Sequence, residues 1–250
     1  MKHIIGNWKM FPKTLKEAKT IAAVTKKVAA SAKHTNVIIC PPMVYLGALY
    51  GKGKMGYGVQ DVHFNDEGAH TGDTSPAAAK SVGASYAIIG HSERRAKGED
   101  DELIAKKVVA AVRNGLTVVL CVGERARDLD GEYFAQVREQ LLASLAGFPK
   151  NKVKQIIVAY EPIWAIGKDA IRPATPEDLH EMVILIKKTL VHFFGKQYGF
   201  KVPIIYGGSV DEVNAVGFLT KGEADGLLIG RVSLDTAKFT SIIRAADKLK

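Results

Sequence analysis

Short β-branched runs recur along this chain, each apolar on consecutive residues, and each is followed by a polar loop and then by a stretch in which apolar residues return every three or four positions. Residues 4–9, 37–40, 56–60, 86–90, 117–122, 155–160, 202–206 and 226–230 read as eight strands. Because their apolar residues do not alternate with polar ones, both faces of each strand are expected to be covered, as in a parallel sheet wrapped by helices. The intervening stretches carry helix starts. Thr14-Leu15-Lys16-Glu17 has the spacing of a capping box, and Ile21, Val24, Thr25 and Val28 follow at helical intervals. Thr175-Pro176-Glu177-Asp178 puts a capping hydroxyl before a proline, with acids in the positive first turn. Ser75-Pro76 repeats that start. The third and seventh helices read as short.

Eight β-α units in 250 residues give about 31 residues each, the size expected of an α/β protein folded as a (β/α)8 barrel. A doubly wound open sheet fits less well, since the first strand ends in Gly6-Asn7-Trp8-Lys9 and not in a G-x-G-x-x-G turn. No proline- or serine-rich linker interrupts the pattern, so residues 1–250 read as a single domain.

In a closed parallel barrel the strand C-termini converge on one face, so the polar residues at those ends matter most. The first strand delivers Asn7 and Lys9, the fourth His91 and Glu93, and the sixth Glu161. Glu161 lies between Tyr160 and Pro162-Ile163-Trp164, and a carboxylate flanked by apolar bulk is desolvated toward the proton affinity of a general base. An uncharged imidazole at His91 is suited to polarise a carbonyl, and Lys9 offers positive charge where an enolate oxygen would form. Asn7 and Glu93 read as orienting groups. Gly207-Gly208-Ser209 and Gly230-Arg231 follow the last two strands, where barrel loops often bind phosphate. Together these groups point to proton transfer on a small phosphorylated molecule.

Composition narrows the alternatives. Lysine and arginine number 35 and acids 26, a net charge of +9. The basic residues are scattered over helices and interleaved with acids, without an arginine-rich aromatic tract, so no nucleic-acid partner is expected. Cys40 and Cys121 sit inside apolar runs and read as buried free thiols, and no Cys/His spacing suggests a metal. The chain starts without a leader-like apolar core and has no run near the ~18 residues of a membrane span. A cytoplasmic protein is expected.

Four segments carry a resemblance over the whole length of the chain. Asn7-Trp8-Lys9, Gly90-His91-Ser92-Glu93-Arg94-Arg95, Tyr160-Glu161-Pro162-Ile163-Trp164-Ala165-Ile166-Gly167 and Tyr206-Gly207-Gly208-Ser209-Val210 closely resemble the triosephosphate isomerase family in order and spacing. The resemblance implies the (β/α)8 barrel and a homodimer. It implies interconversion of dihydroxyacetone phosphate and D-glyceraldehyde 3-phosphate, without cofactor or metal. Carried over, Glu161 is the base, His91 the electrophile and Lys9 the electrostatic partner, with Asn7 beside it. Gly167, Ser209, Gly230 and Arg231 then offer backbone N–H groups to the phosphate. Trp164, Ala165, Ile166, Gly167, Lys168, Asp169 and Ala170 form a lid, and Thr71 reaches a partner's site.

The chain departs from the family pattern in three places. The lid continues Lys168-Asp169-Ala170 where Thr-Gly-Lys is usual, and the stretch before Thr175-Pro176 is longer. Arg231 replaces the second of two glycines. His70 and Asp73 replace an aromatic residue and a glutamate near Thr71. A catalytically silent phosphate-binding barrel, serving as a scaffold, is the alternative, and a different phosphosugar enzyme on the same fold is another.

Overall fold

In a computed structural model that describes residues 1–167 and 170–249, the eight strands close on themselves. The strands are β1 (Lys2–Asn7), β2 (Thr35–Cys40), β3 (Gly56–Val59), β4 (Tyr86–Ile89), β5 (Thr117–Val122), β6 (Ile156–Tyr160), β7 (Ile204–Tyr206) and β8 (Gly226–Ile229). Neighbours in sequence are neighbours in the barrel, all pairs are parallel, and β8 pairs with β1. The helices are α1 (Leu15–Ser31), α2 (Met43–Leu49), α3 (Pro76–Ser81), α4 (Ser92–Arg95), α5 (Asp101–Arg113), α6 (Glu132–Ser144), α7 (Pro176–Phe194), α8 (Lys196–Gly199), α9 (Ala215–Thr220) and α10 (Thr236–Lys248).

The uninterrupted apolar runs have a direct cause. Ile5, Ile38, Cys40, Ile88, Val119, Cys121, Ile157, Ala159, Ile205 and Leu228 pack with one another inside the barrel. Their strand neighbours, such as Ile4, Val37, Ile39, Val118 and Val158, point outward into a second core shared with the helices. Both layers are dry, so both strand faces must be apolar.

The expected strands are all present, but only β5 keeps both expected ends. β1 stops at Asn7, and Lys9 lies beyond it in the left-handed region at φ 51°. β4 ends before Gly90, whose φ of 73° turns the chain. β7 begins at Ile204 rather than at 202, because Pro203 has no N–H to give the ladder. β6 begins after a 3₁₀ segment, Lys150–Gln155.

The helix starts follow their caps. At α7, Thr175 Oγ1 accepts the Asp178 N–H at 3.2 Å, and Asp178 Oδ2 accepts the Thr175 N–H at 2.8 Å, a complete capping box. At α1 only half of the expected box forms: Thr14 Oγ1 accepts the Glu17 N–H at 3.3 Å, while the exposed Glu17 carboxylate stays in water. Ser75 caps α3 as expected, and α3 and α9, the helices after β3 and β7, are short, six residues each. Among the described residues, no helix is long and apolar enough to cross a membrane.

Candidate active site

The strand ends open into a cleft of about 760 Å³ lined by Asn7, Lys9, His91, Glu93, Glu161, Gly167, Ser209, Gly230 and Arg231. The fold thus brings the proton-transfer candidates and the phosphate candidates to one hollow. Of the lid residues, Trp164 and Ala165 are buried, Ile166 and Ala170 half-buried, and Gly167 is exposed at φ 85°. Lys168 and Asp169 lie outside the described residues. Thr71 does not line the cleft; it lies in an exposed loop over residues 65–73.

Glu161 follows β6 and is buried, 2% exposed. Its backbone N–H donates to Val122 O at 2.8 Å, which ties the end of β6 to β5. Gly123 is required here, since a Cβ at that position would lie 1.8 Å from the Glu161 carbonyl oxygen. One carboxylate oxygen, Oε2, accepts the Ser92 N–H at 2.8 Å. The other, Oε1, stands 3.3 Å from His91 Nε2 and lacks a well-aligned hydrogen bond.

His91 caps α4, and its Nδ1 accepts the Glu93 N–H at 3.2 Å. That bond assigns the proton of an uncharged ring to Nε2, the nitrogen facing Glu161. Lys9 is positioned from three sides. Its N–H donates to Asn7 Oδ1 at 3.1 Å, its carbonyl accepts Gln60 Nε2 at 2.8 Å, and its Nζ reaches Glu93 Oε1 at 2.6 Å. Burial pushes the Glu93 carboxyl up, but the hydrogen bond and charge of Lys9, with His91 and Lys97, hold it below the usual range. Glu93 therefore orients Lys9 in this structure.

After β7 and β8, among the described residues, the N–H groups of Ser209 and Arg231 have no backbone acceptor. Gly208 leaves room for a phenol: a Cβ there would come within 2.2 Å of Tyr206 Oη. A Cβ on Gly207 would meet Glu161 Cγ at 2.9 Å. Gly207 thus serves close packing against Glu161 and Gly208 against the Tyr206 phenol, and neither serves a left-handed turn. Arg231 is exposed at the cleft and makes no ion pair among the described residues.

The chain matches the triosephosphate isomerase family model over residues 2–246. The chain belongs to the triosephosphate isomerase family. Triosephosphate isomerase of Carboxydothermus hydrogenoformans is 41% identical over 97% of this chain and 98% of its own. The Roseiflexus protein of that name is 39% identical over 96% and 95%. A crystal structure of triosephosphate isomerase from Bartonella henselae superposes with a TM-score of 0.84 at 35% identity, covering 98% of both chains.

Several residues around this triosephosphate isomerase-like site had no role in the sequence reading. Ser92 and Gln60 hold Glu161 and Lys9. Glu124 Oε1 accepts hydrogen bonds from Tyr160 Oη at 2.7 Å, Trp164 Nε1 at 2.8 Å and Arg127 Nε at 3.1 Å. Cys40 and Cys121 are buried inside the barrel, as their apolar runs suggest, and burial pushes both thiols up, with Glu161 adding to the effect on Cys121. Outside the cleft, His63, His70 and Asp73 gather within 4.8 Å, a grouping that no sequence spacing signals. Asn65 already engages both rings, at His63 Nδ1 and His70 Nε2.

Proposed function

We propose that Glu161, His91 and Lys9 perform the enediolate proton transfer of an aldose–ketose isomerase in this cleft. The reaction is the family's interconversion of dihydroxyacetone phosphate and D-glyceraldehyde 3-phosphate, which is cofactor-independent and belongs to glycolysis. The observation that carries the assignment of roles is the facing pair: Glu161 Oε1 lies 3.3 Å from His91 Nε2, beside Lys9, in one cleft.

The α-proton of a sugar phosphate is a weak acid. It leaves at a useful rate only where the resulting oxyanion is stabilised as it forms. The Nε2–H of His91 and the ammonium of Lys9 supply that stabilisation, and the Glu161 carboxylate takes the proton from one carbon and returns it to the next. Asn7 orients Lys9, and Glu93 holds its ammonium at the cleft. The phosphate sits against the N–H groups of Gly167, Ser209, Gly230 and Arg231. Binding energy from this remote group holds the reacting carbons in place. The lid excludes water while the intermediate exists. Nothing in the cleft favours a silent scaffold, which would have no use for an under-partnered carboxylate facing an imidazole.

The homodimer belongs to the same proposal. Met10 is 90% exposed, Phe11 48% and Val44 82%, and residues 65–73, with Thr71 among them, are exposed. Exposed apolar residues of this kind fit a second copy of the chain. The cytoplasm is the proposed compartment. A coupled assay on D-glyceraldehyde 3-phosphate with purified protein tests the activity, and sedimentation tests the dimer. No turnover above background refutes the first; a single-chain mass at micromolar concentration refutes the second.

A further inference from the structure

The stretch between Gly167 and Thr175 departs from the family pattern in both length and sequence, and Arg172 lies in it. Its side chain is half exposed, yet both terminal nitrogens of the guanidinium are engaged. Nη1 and Nη2 donate to the two oxygens of Asp178 at 2.6 and 2.8 Å, and Nη1 also reaches Pro173 O at 3.1 Å. The guanidinium carbon stands 4.6 Å from the centre of the Trp164 ring. One residue earlier, the Ile171 N–H donates to Trp164 O at 2.8 Å. The two ends of the lid are thus joined twice, by a backbone hydrogen bond and by a stacked cation.

The stack has a rigid foundation. Asp178 is fixed in the capping box of α7 and also accepts Arg127 Nη1 at 3.1 Å. Arg127 lies 5.0 Å from the Trp164 ring, and the indole N–H is held by Glu124 at 2.8 Å. Trp164 is therefore gripped at its edge by a carboxylate and over its ring system by two guanidiniums. Only a planar fork can pair bidentately with Asp178 and stack on the indole at once; an ammonium offers charge without either.

We propose that Arg172 is a positioning residue for the lid: by clamping Trp164 to the start of α7 it fixes the stems of the loop and keeps the reaction intermediate sealed from water. The inference rests on the isomerase reading above. Arg172 does not line the cleft and acts through Trp164, three residues beyond Glu161. Without the clamp, the lid opens while the enediolate is still bound. That species then expels inorganic phosphate: the C–O bond breaks, its electron pair leaves with the phosphate, and the remaining enol becomes methylglyoxal.

The test uses the full chain with R172A and R172K. Three quantities are read: the ratio of methylglyoxal to isomerised product, the inhibition constant of inorganic phosphate, and acrylamide quenching of Trp164. The chain has two tryptophans, and Trp8 lines the cleft between Asn7 and Lys9, so quenching is read in a W8F background and the other two quantities with Trp8 in place. In R172A the methylglyoxal ratio is expected to rise about fivefold or more and Trp164 quenching about twofold, with phosphate inhibition within about twofold of the parent. R172K is expected to recover less than half of either change, because charge alone does not rebuild the fork and stack. Unchanged leakage and quenching in R172A, or full rescue by lysine, overturns the proposal. Should R172A not fold, R172Q takes its place with the same criteria. Quenching does not depend on turnover, so a parent protein that fails to isomerise refutes the functional reading while Arg172 is still judged on its own contact.

Discussion

Two glutamates stand just beyond adjacent strands, Glu124 after β5 and Glu161 after β6, and both are almost completely buried, at 1% and 2% exposure. Their surroundings could hardly differ more. Glu124 Oε1 takes a phenol, an indole and a guanidinium. Glu161 has a single backbone donor, the Ser92 N–H, and an imidazole opposite its other oxygen. Each carboxylate leaves one oxygen without a partner, but only Glu161 lines the cleft. A carboxylate whose charge is compensated by a cation and two further donors has little to gain from a substrate proton. One held by a lone peptide N–H beside an open cleft can accept it. Burial alone does not single out the candidate base; the balance of partners and the open cleft do.

The largest effect expected is at Glu161. Shortening it to aspartate draws the carboxylate back from the reacting carbons, and kcat should fall by about 10²–10³ while the affinity of a phosphate-bearing inhibitor changes by less than about threefold. Steady-state kinetics with inhibitor titration checks this; a kcat within tenfold of the parent, roughly 1.4 kcal/mol of barrier, removes Glu161 from the role of base. Glu124→Gln should do the reverse. It keeps the shape but weakens the charge-assisted bonds to Arg127, Trp164 and Tyr160, costing about 1.5–3 kcal/mol of stability in a denaturant melt with kcat within about tenfold. If E124Q cost as much turnover as E161D, the contrast between the two carboxylates would be broken.

Smaller effects sharpen the outer parts of the comparison. Arg231→Gly removes a cation that lines the cleft and restores the residue usual in the family, so KM should rise by about three- to tenfold with kcat nearly constant, the signature of lost uniform binding. A fall in kcat with KM unchanged would place Arg231 in the chemical step instead. The smallest effect concerns pH. The hydrogen bonds from Arg172 hold the Asp178 carboxyl down at about 2, against the opposing effect of burial and with help from the Thr175 N–H and Arg127. Its folded value lies below the unfolded 3.8, so this stabilisation is complete above 3.8 and is lost as pH falls toward about 2. Asp178→Asn should therefore flatten the acid limb of stability in that window and leave the neutral region with only the constant cost of the lost capping and arginine contacts. An unchanged acid limb would show that other carboxylates govern it.

The barrel was legible because dry packing on both strand faces writes itself as consecutive β-branched residues. Strand ends were less so: the pattern runs on past the ladder, as at Gly90, which already turns the chain at φ 73°. Glu161, His91 and Lys9 stood out as polar residues at the ends of apolar runs, and the fold brings them together. Ser92 was not singled out because it acts through a backbone N–H, which every residue but proline carries. The four-residue α4 that aims this N–H is too short for a periodic signal. Arg127 and Arg172 were silent for a different reason. Arg127 has partners as far away as Glu181, and Arg172 acts partly by stacking, so neither has a local motif.

The central claim is that the Glu161 carboxylate moves a carbon-bound proton of a phosphate-anchored triose. It is tested most directly by incubating the purified protein with dihydroxyacetone phosphate in D2O and following both isomerisation and deuterium at carbon by NMR. Isomerisation is expected with deuterium entering at the carbon that Glu161 deprotonates, and both signals falling together by about 10²–10³ in E161D. Isomerisation and exchange that persist undiminished in E161D, or a parent protein that catalyses neither, would contradict it.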